Sequence, residues 1–408
     1  MASLSQPYRL SSRGLIDRSR PLSFSFDGIC MEGFEGDTLA SALLANGVRV
    51  VARSFKYHRP RGIYAGGLEE PNALVTIGVG CRSTPNTRAT QVWLEPDLVA
   101  RSQNRWPSLR WDLSAVSGWI APVLSAGFYY KTFMRPRRLW PLYERGIRRM
   151  AGMGRAPRSP DPDHYDKQYH ACDCLVIGLG PAGLAAALAA SQVPGRRVIA
   201  LEADRIAGGS LLFNRACVDG REGVSWAARA AAELATHPNV RMLLRTVAFG
   251  YYDDNLIAAV EHLPDTEEGS LCQRIHWIRA GEVILATGAH ERPLVFPAND
   301  RPGIILANAA RNYLNRYAVA PGQRVAIVTN NESAYPLARD LTDAGVAVVA
   351  TIDMRVSSGR PGSAPHLCGY RVTRTWGRSA LRGIRVESIN GAAPSQDIAC
   401  DALCVSGG

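Results

Sequence analysis

Lysine is nearly missing from this chain. Only Lys56, Lys131 and Lys167 occur among 47 basic residues, so the formal charge of +11 is carried almost wholly by arginine. In a sequence also rich in alanine and glycine, codon bias accounts for that as well as function does. Paired cysteines are missing too. The nine cysteines are scattered as Cys30, Cys81, Cys172, Cys174, Cys217, Cys272, Cys368, Cys400 and Cys404, with no C-x-x-C pair. That argues against a zinc ribbon, a thioredoxin-like redox pair or a ferredoxin ligand set, and for reduced thiols in a reducing compartment. His170, Cys172 and Cys174 could share one strand face as metal ligands, but no fourth ligand cluster accompanies them and no metal is expected. The polar start lacks an apolar core with a small-residue cleavage site, so no secretory signal is read and a cytoplasmic protein is expected. Residues 113–130 are uncharged but broken by Ser114, Ser117, Gly118, Pro122, Ser125 and Gly127. They read as a buried or interface segment rather than a membrane span.

What is present is a nucleotide signature. The apolar run Leu175-Val176-Ile177 leads into Gly178-Leu179-Gly180-Pro181-Ala182-Gly183 and an alanine-rich helix, and Glu202 ends the next predicted strand. Gly178 permits the tight turn, Gly180 lets backbone approach a pyrophosphate, and Gly183 lets the helix pack on the sheet. Glu202 is placed to hydrogen-bond an adenosine ribose, and its charge favours NAD over NADP, though FAD is held in the same way. A composition that is 46% hydrophobic and 20% charged over 408 residues is globular, with room for two or three domains.

The pattern repeats. Residues 324–328 form another predicted strand, followed by Thr329-Asn330-Asn331-Glu332-Ser333-Ala334, a helix through Ala344, and a strand ending at Asp353. The spacing from Thr329 to Asp353 equals that from Gly178 to Glu202. Thr329, Asn331 and Ala334 replace the three glycines, however, and their side chains hinder a pyrophosphate, so weak or no nucleotide binding is expected there. Between the copies, Ala286-Thr287-Gly288 ends a buried strand, as in two-dinucleotide-domain reductases. His290 follows it near the expected cofactor edge and is read as a turn residue.

Upstream, residues 21–26 and 74–79 read as strands, and residues 37–47 as a short helix with Asp37 as N-cap and Gly47 at its end. The expected organisation is a small sheet-plus-helix domain over residues 1–95, an Arg/Trp/Pro-rich connector over 96–170, a first dinucleotide-binding domain over 171–320, and a second, degenerate and incomplete one over 321–408. The stretch from Arg135 to Arg158 carries eight arginines and one acid, Glu144. Without a recognised nucleic-acid motif, it reads as a solvated or protein-facing helix.

Four runs are long enough to carry a resemblance. Arg53-Ser54-Phe55-Lys56-Tyr57-His58-Arg59-Pro60-Arg61-Gly62, Ala126-Gly127-Phe128-Tyr129-Tyr130-Lys131-Thr132-Phe133-Met134, Ala286 to Pro293, and Thr329 to Tyr335 resemble the alpha subunit of heterotetrameric sarcosine oxidase, over essentially the whole chain. The resemblance implies an α/β fold: a ferredoxin-like α+β domain without its iron-sulfur cluster, then a reductase-like pair of dinucleotide-binding domains. It implies NAD held by Gly178, Gly180, Pro181, Ala182, Gly183 and Glu202, with Ala203, Gly209, Ser210, Val247, Ala286, Thr287 and Gly288 beside it. It implies beta, gamma and delta partner subunits, with FAD in beta and FMN at the alpha–beta interface. The implied reaction is oxidative demethylation of sarcosine to glycine, formaldehyde and hydrogen peroxide, or methylenetetrahydrofolate with folate, and no catalytic base is expected in this chain. The family continues into a folate-binding region, so this chain is expected to be cut inside a nucleotide domain, and tetrahydrofolate requires that further part. A related proline, hydroxyproline or opine dehydrogenase subunit is an alternative. So is a stand-alone nucleotide-binding interaction protein. Neither nucleic acid nor membrane is expected as a partner.

Overall fold

Leu22, Phe24 and Phe26 alternate with exposed or half-exposed neighbours, and that period of two makes Asp17–Phe26 a strand, β1, with one face in the core. Asp27 and Gly28, both at positive φ, turn it tightly into the antiparallel β2, Ile29–Glu35. Leu74–Ile77 (β3), Thr84–Arg88 (β4) and Leu98–Ser102 (β5) complete a five-stranded sheet in the order β2-β1-β5-β3-β4. The description comes from a computed structural model and covers residues 6–119, 135–150, 152–263, 271–357, 359, 364–391 and 393–408. The family-like run at residues 126–134 lies outside them.

Helix α1, Leu39–Ala45, lies fully buried beside this sheet. Its N-cap is Thr38, not Asp37 as expected from sequence: the Thr38 hydroxyl accepts the Ser41 amide at 3.2 Å, and the Ser41 hydroxyl accepts the Thr38 amide at 2.9 Å. Asp37 is drawn inward instead. Its carboxylate accepts the Ser41 hydroxyl at 2.7 Å and the Phe34 amide at 2.9 Å and pairs with Arg9 at 2.6 Å. A short helix, α2, spans Trp140–Met150.

Residues 160–290 form a compact unit of their own. Its sheet runs β8-β7-β6-β11-β10-β9, where β6 is His164–Ile177, β7 Val198–Leu201, β8 Val240–Leu243, β9 Thr246–Tyr252, β10 Leu256–His262 and β11 Leu271–Leu285. The first four are parallel, in the 3-2-1-4 order of a mononucleotide-binding half, and β9 and β10 add an antiparallel edge. Helices α3, Pro181–Ser191, and α4, Gly223–Thr236, cover it. Leu184, Ala187, Ala227 and Leu234 join Val176 and Ala200 of the sheet in one core cluster. The sequence-drawn edge between residues 170 and 171 falls inside β6.

The remaining segment, Glu291–Gly408, belongs to one compact unit with Met1–Ser159. Its parallel sheet is ordered β12-β19-β13-β14-β15, with β12 Ile304–Leu306, β13 Arg324–Thr329, β14 Ala347–Asp353, β15 His366–Cys368 and β19 Ala402–Ser406. A three-stranded antiparallel sheet, β16 Tyr370–Trp376, β17 Gly383–Ser388 and β18 Gln396–Ala399, is inserted before β19. Helix α5, Ala307–Arg316, joins the two halves of this unit. Ala307, Ala310, Tyr313 and Leu314 sit in the same core cluster as Phe24, Leu39, Leu43 and Val75. The Tyr313 hydroxyl donates to the Ala65 carbonyl at 2.9 Å. Each fully buried leucine contributes roughly 1.5–3 kcal/mol, so this shared core is a large part of what holds the sheet-plus-helix part in place. Helix α6 spans Tyr335–Asp343.

Candidate functional site

The turn after β6 is shaped by what a side chain would strike. A Cβ on Gly183 would lie 1.8 Å from the Gly178 carbonyl oxygen, and one on Gly178, which has φ +95°, would lie 2.5 Å from the Ala286 carbonyl oxygen. Gly180 differs from both: a Cβ there would meet nothing closer than the Gly209 Cα at 3.9 Å. Its missing side chain therefore serves something other than internal packing. Gly180 is the N-cap of α3, with extended backbone and Pro181 at the first helical position. The amides of Ala182 and Gly183 lie in the first turn, where helix N-termini favour negative charge.

Glu202 follows β7 and reaches back under this turn. Its Oε2 accepts the Leu179 amide at 2.7 Å and its Oε1 the Asp204 amide at 3.0 Å. Burial pushes its carboxyl above the ordinary range, and those amide bonds partly offset the shift. Each oxygen keeps lone-pair capacity for a further donor. The Gly208 amide donates to the Leu179 carbonyl at 2.8 Å, carrying the segment Gly209–Leu212 onto the turn. Gly209, with φ +52°, approaches so closely that a Cβ would sit 2.8 Å from the Gly180 Cα.

The structure therefore brings Gly178, Gly180, Pro181, Ala182, Gly183, Glu202, Gly209 and Ala286 together. Ala203 sits between Glu202 and Asp204, and Ser210 is exposed within the Gly209–Leu212 turn. Val247 is half-buried in β9, one residue past the Thr246 amide that donates to the Glu202 carbonyl at 2.8 Å. The Thr287 Cα borders Gly178, and Thr287, Gly288 and His290 are exposed. Sequence reasoning missed the part played by Leu179 and Asp204, because a backbone amide leaves no trace in residue type. Gly209 was expected beside the site only through the family resemblance, and the part played by Gly208 was not read. Cys172 and Cys174 are buried core thiols, the former pushed up to about 11 by burial, whereas His170 hydrogen-bonds His276 at 2.9 Å.

In the second copy the corresponding groups are engaged within the protein. The Thr329 hydroxyl accepts the Asn331 amide at 3.1 Å, and the Asn331 Oδ1 accepts the Ser333 amide at 2.8 Å. Asp353, at the position matching Glu202, accepts the Tyr335 hydroxyl at 2.6 Å and the Arg355 guanidinium at 2.8 Å. Burial alone would raise its carboxyl, but these bonds outweigh it and hold it below the ordinary range.

In the sheet-plus-helix part, the loop before β3 is organised by Glu70, which is almost fully buried. Its Oε2 accepts the Tyr64 and Ala65 amides at 2.8 and 2.6 Å, and its Oε1 the Asn72 and Ala73 amides at 2.7 and 3.0 Å.

Comparison with known proteins agrees with this architecture. Residues 19–105 match the family described as a 2Fe-2S iron-sulfur cluster binding domain, and residues 172–355 match pyridine nucleotide-disulphide oxidoreductase. Over its matched range the first domain has only Cys30 and Cys81, so the four-cysteine set of a cluster is not there and the residues do not fit one. The fold of L-proline dehydrogenase from P. horikoshii superposes with a TM-score of 0.63 at 21% identity, over 99% of this chain and 62% of that one. The chain is thus an oxidoreductase-class protein, a ferredoxin-like domain joined to a dinucleotide-binding fold. It is 52% identical over 98% of its length to sarcosine oxidase subunit alpha of Rhizobium meliloti (strain 1021), and 39% identical over 90% to that of Corynebacterium sp. (strain P-1). It belongs to the sarcosine oxidase alpha-subunit family, and spans 41% and 34% of those two relatives' lengths. Among the described residues no helix is long and apolar enough to cross a membrane, and no group of three or more His, Cys, Asp or Glu is placed to hold a metal.

Proposed function

We propose that this chain is the cofactor-holding alpha component of a multi-subunit amine-oxidising flavoenzyme that demethylates sarcosine, and that residues 160–290 bind NAD. The observation that carries the cofactor reading is the open space at Gly180 beside a helix N-terminus, with Glu202 fixed beneath the same turn. In this reading the amides of Ala182 and Gly183 face the pyrophosphate, and Gly180 and Gly209 keep the approach free of side chains. Glu202 accepts the ribose hydroxyls on the lone pairs left by Leu179 and Asp204, and its charge repels a 2′-phosphate. FAD would present the same adenosine half, and the preference for NAD comes from family membership.

Bound flavin on partner subunits would supply the two-electron chemistry, and this chain contributes position and electrostatics. No residue here is assigned as the substrate base. The likeness to sarcosine oxidase alpha subunits supports sarcosine as donor, with glycine, formaldehyde and hydrogen peroxide as products. Methylenetetrahydrofolate would replace formaldehyde when the folate-binding part is present. The test is to purify the chain with its cognate beta, gamma and delta subunits, identify released nucleotides by mass spectrometry, and assay sarcosine-dependent peroxide. NAD, flavins and peroxide together are the expected result. A complex that holds flavins but is inert to sarcosine would overturn the substrate assignment, and an assembled complex that releases flavins but no NAD would overturn the NAD assignment.

A further inference from the structure

The three-stranded sheet of β16, β17 and β18 has one face in the core and one outside. Thr375, Ile384 and Ile398 stand opposite one another across the strands and turn inward, with Ile384 fully buried. Side chains alternate along a strand, so the rows on either side of that one share the outer face. One row is Arg374, Arg385 and Asp397, and the other is Trp376, Gly383 and Ala399.

The first row is out of charge balance. Asp397 is engaged bidentately by Arg385, whose Nε and Nη2 donate to its two oxygens at 2.7 Å each. Arg374, exposed and directly opposite Arg385, has no hydrogen-bond or ion-pair partner among the described residues. Like charges directly opposite one another on a sheet are destabilising. The bond from Arg385 holds the Asp397 carboxyl below its ordinary range, and the charge of Arg374 lowers it further, so this one carboxylate already answers to both arginines. Glu387, two residues along the same face from Arg385, stands opposite Arg371. Two guanidiniums against one carboxylate leave the row with a single positive charge in excess.

The second row supplies a flat wall. A Cβ on Gly383 would lie 2.6 Å from the Trp376 Cε2, so the indole rests on glycine backbone that no other residue could offer it. Arg374, Trp376, Arg385 and Asp397 together line a cavity of about 220 Å³. Sites for drug-sized ligands run to about 300–1,000 Å³, so this one suits a molecule of a single ring. Asp397 engages only the Nε and Nη2 of Arg385, which leaves Nη1 to donate elsewhere.

We propose that this cavity binds a small aromatic monocarboxylate: Arg374 and the Arg385 Nη1 donate to the carboxylate, and the ring lies against the Trp376 indole. Guanidinium forks match a carboxylate in geometry, and aromatic rings add stacking to the area they bury. The single charge of a carboxylate neutralises the row, whereas a phosphate dianion would overshoot it and face Asp397. The site shares no residue with the glycine turn at 178–183 and does not depend on the cofactor assigned there.

The test titrates benzoate into the full chain by calorimetry in low-salt buffer, with benzyl alcohol as a ring without charge and inorganic phosphate as an oxyanion without a ring. Wild type should bind benzoate, and both controls more weakly. R374Q should weaken benzoate by about 10-fold or more, and R374K by less, since it keeps the charge and loses the fork. Ligand-free R374Q should melt no lower than wild type, because it relieves the opposed charges. Wild type that does not bind benzoate, a benzoate affinity untouched by R374Q, or either control bound as tightly as benzoate would overturn the proposal. So would a lower ligand-free melting temperature for R374Q, which would make Arg374 a residue kept for stability. Tighter binding of a poly-glutamate peptide than of benzoate, lost in R374Q, would assign the arginines to a protein partner instead.

Discussion

Leu179 donates its amide to the Glu202 carboxylate at 2.7 Å, so the residue proposed to hold a ribose also fixes the curvature of the glycine turn. Replacing Glu202 therefore acts twice. The variant E202A should lose most dinucleotide affinity, and what remains should discriminate less between NAD and NADP, because the charge facing a 2′-phosphate is gone. Paired NAD and NADP titrations by calorimetry on wild type and variant check this, and an unaltered preference would remove Glu202 from the ribose site.

Gly180 and Gly183 separate packing from binding. G183A must push a methyl group into the Gly178 carbonyl, and a loss of several kcal/mol of stability, on the order of 2–4, is expected in the absence of ligand. G180A has room within the protein, so its ligand-free melting temperature should stay close to wild type while dinucleotide affinity falls at least about 10-fold. Thermal melts with and without NAD distinguish the two. Equal affinity for G180A and wild type would mean that no phosphate passes over this position.

Glu70 buries a carboxylate against four amides. In E70Q one amide pair faces an NH2 group, and destabilisation of about 2–4 kcal/mol is expected. Burial raises the Glu70 carboxyl above 4.5, with the four amides partly offsetting it, so the folded chain holds this proton where the unfolded one has released it. The stability contributed by that proton is full below the ordinary value and is lost as pH rises through the folded one. Urea melts across the acid range should show this slope in wild type and its absence in E70Q.

Asp353 titrates in the opposite sense. Its folded carboxyl lies below 3.8, so its contribution is present above that pH and is lost as pH falls through the folded value. The stability difference between wild type and D353N should be about 1–3 kcal/mol at neutral pH and shrink towards zero in strong acid. A pH-independent difference would mean that Arg355 and Tyr335 do not stabilise the ionised form.

How much could be read from sequence depended on whether a position has to be occupied by one residue type. Gly178, Gly183 and the acid at 202 were legible because steric and hydrogen-bond demands leave few alternatives. The repeated strand–turn–helix–strand spacing was legible, whereas the order of the strands in either sheet was not. Asp37 and Thr38 are both good N-caps, and only the tertiary pull of Arg9 and Phe34 on Asp37 decides between them. Glu70 was invisible, since a single glutamate in a loop has no period or partner spacing. The core joining Phe24 and Leu43 to Tyr313 and Leu314 was equally hidden, because nothing local records which distant face a buried residue will meet.

That shared core has a consequence for synthesis. Residues 160–290 are contiguous, so they can complete their sheet as soon as they have left the ribosome. Residues 1–159 cannot: α5 and the strands that close over α1 and β1 are encoded after them, beyond the whole intervening unit. Residues 1–159 are therefore made well before the partners that bury them. While translation continues, Leu39, Leu43 and Phe24 lack their final partners, and this interval is when a chaperone would matter most.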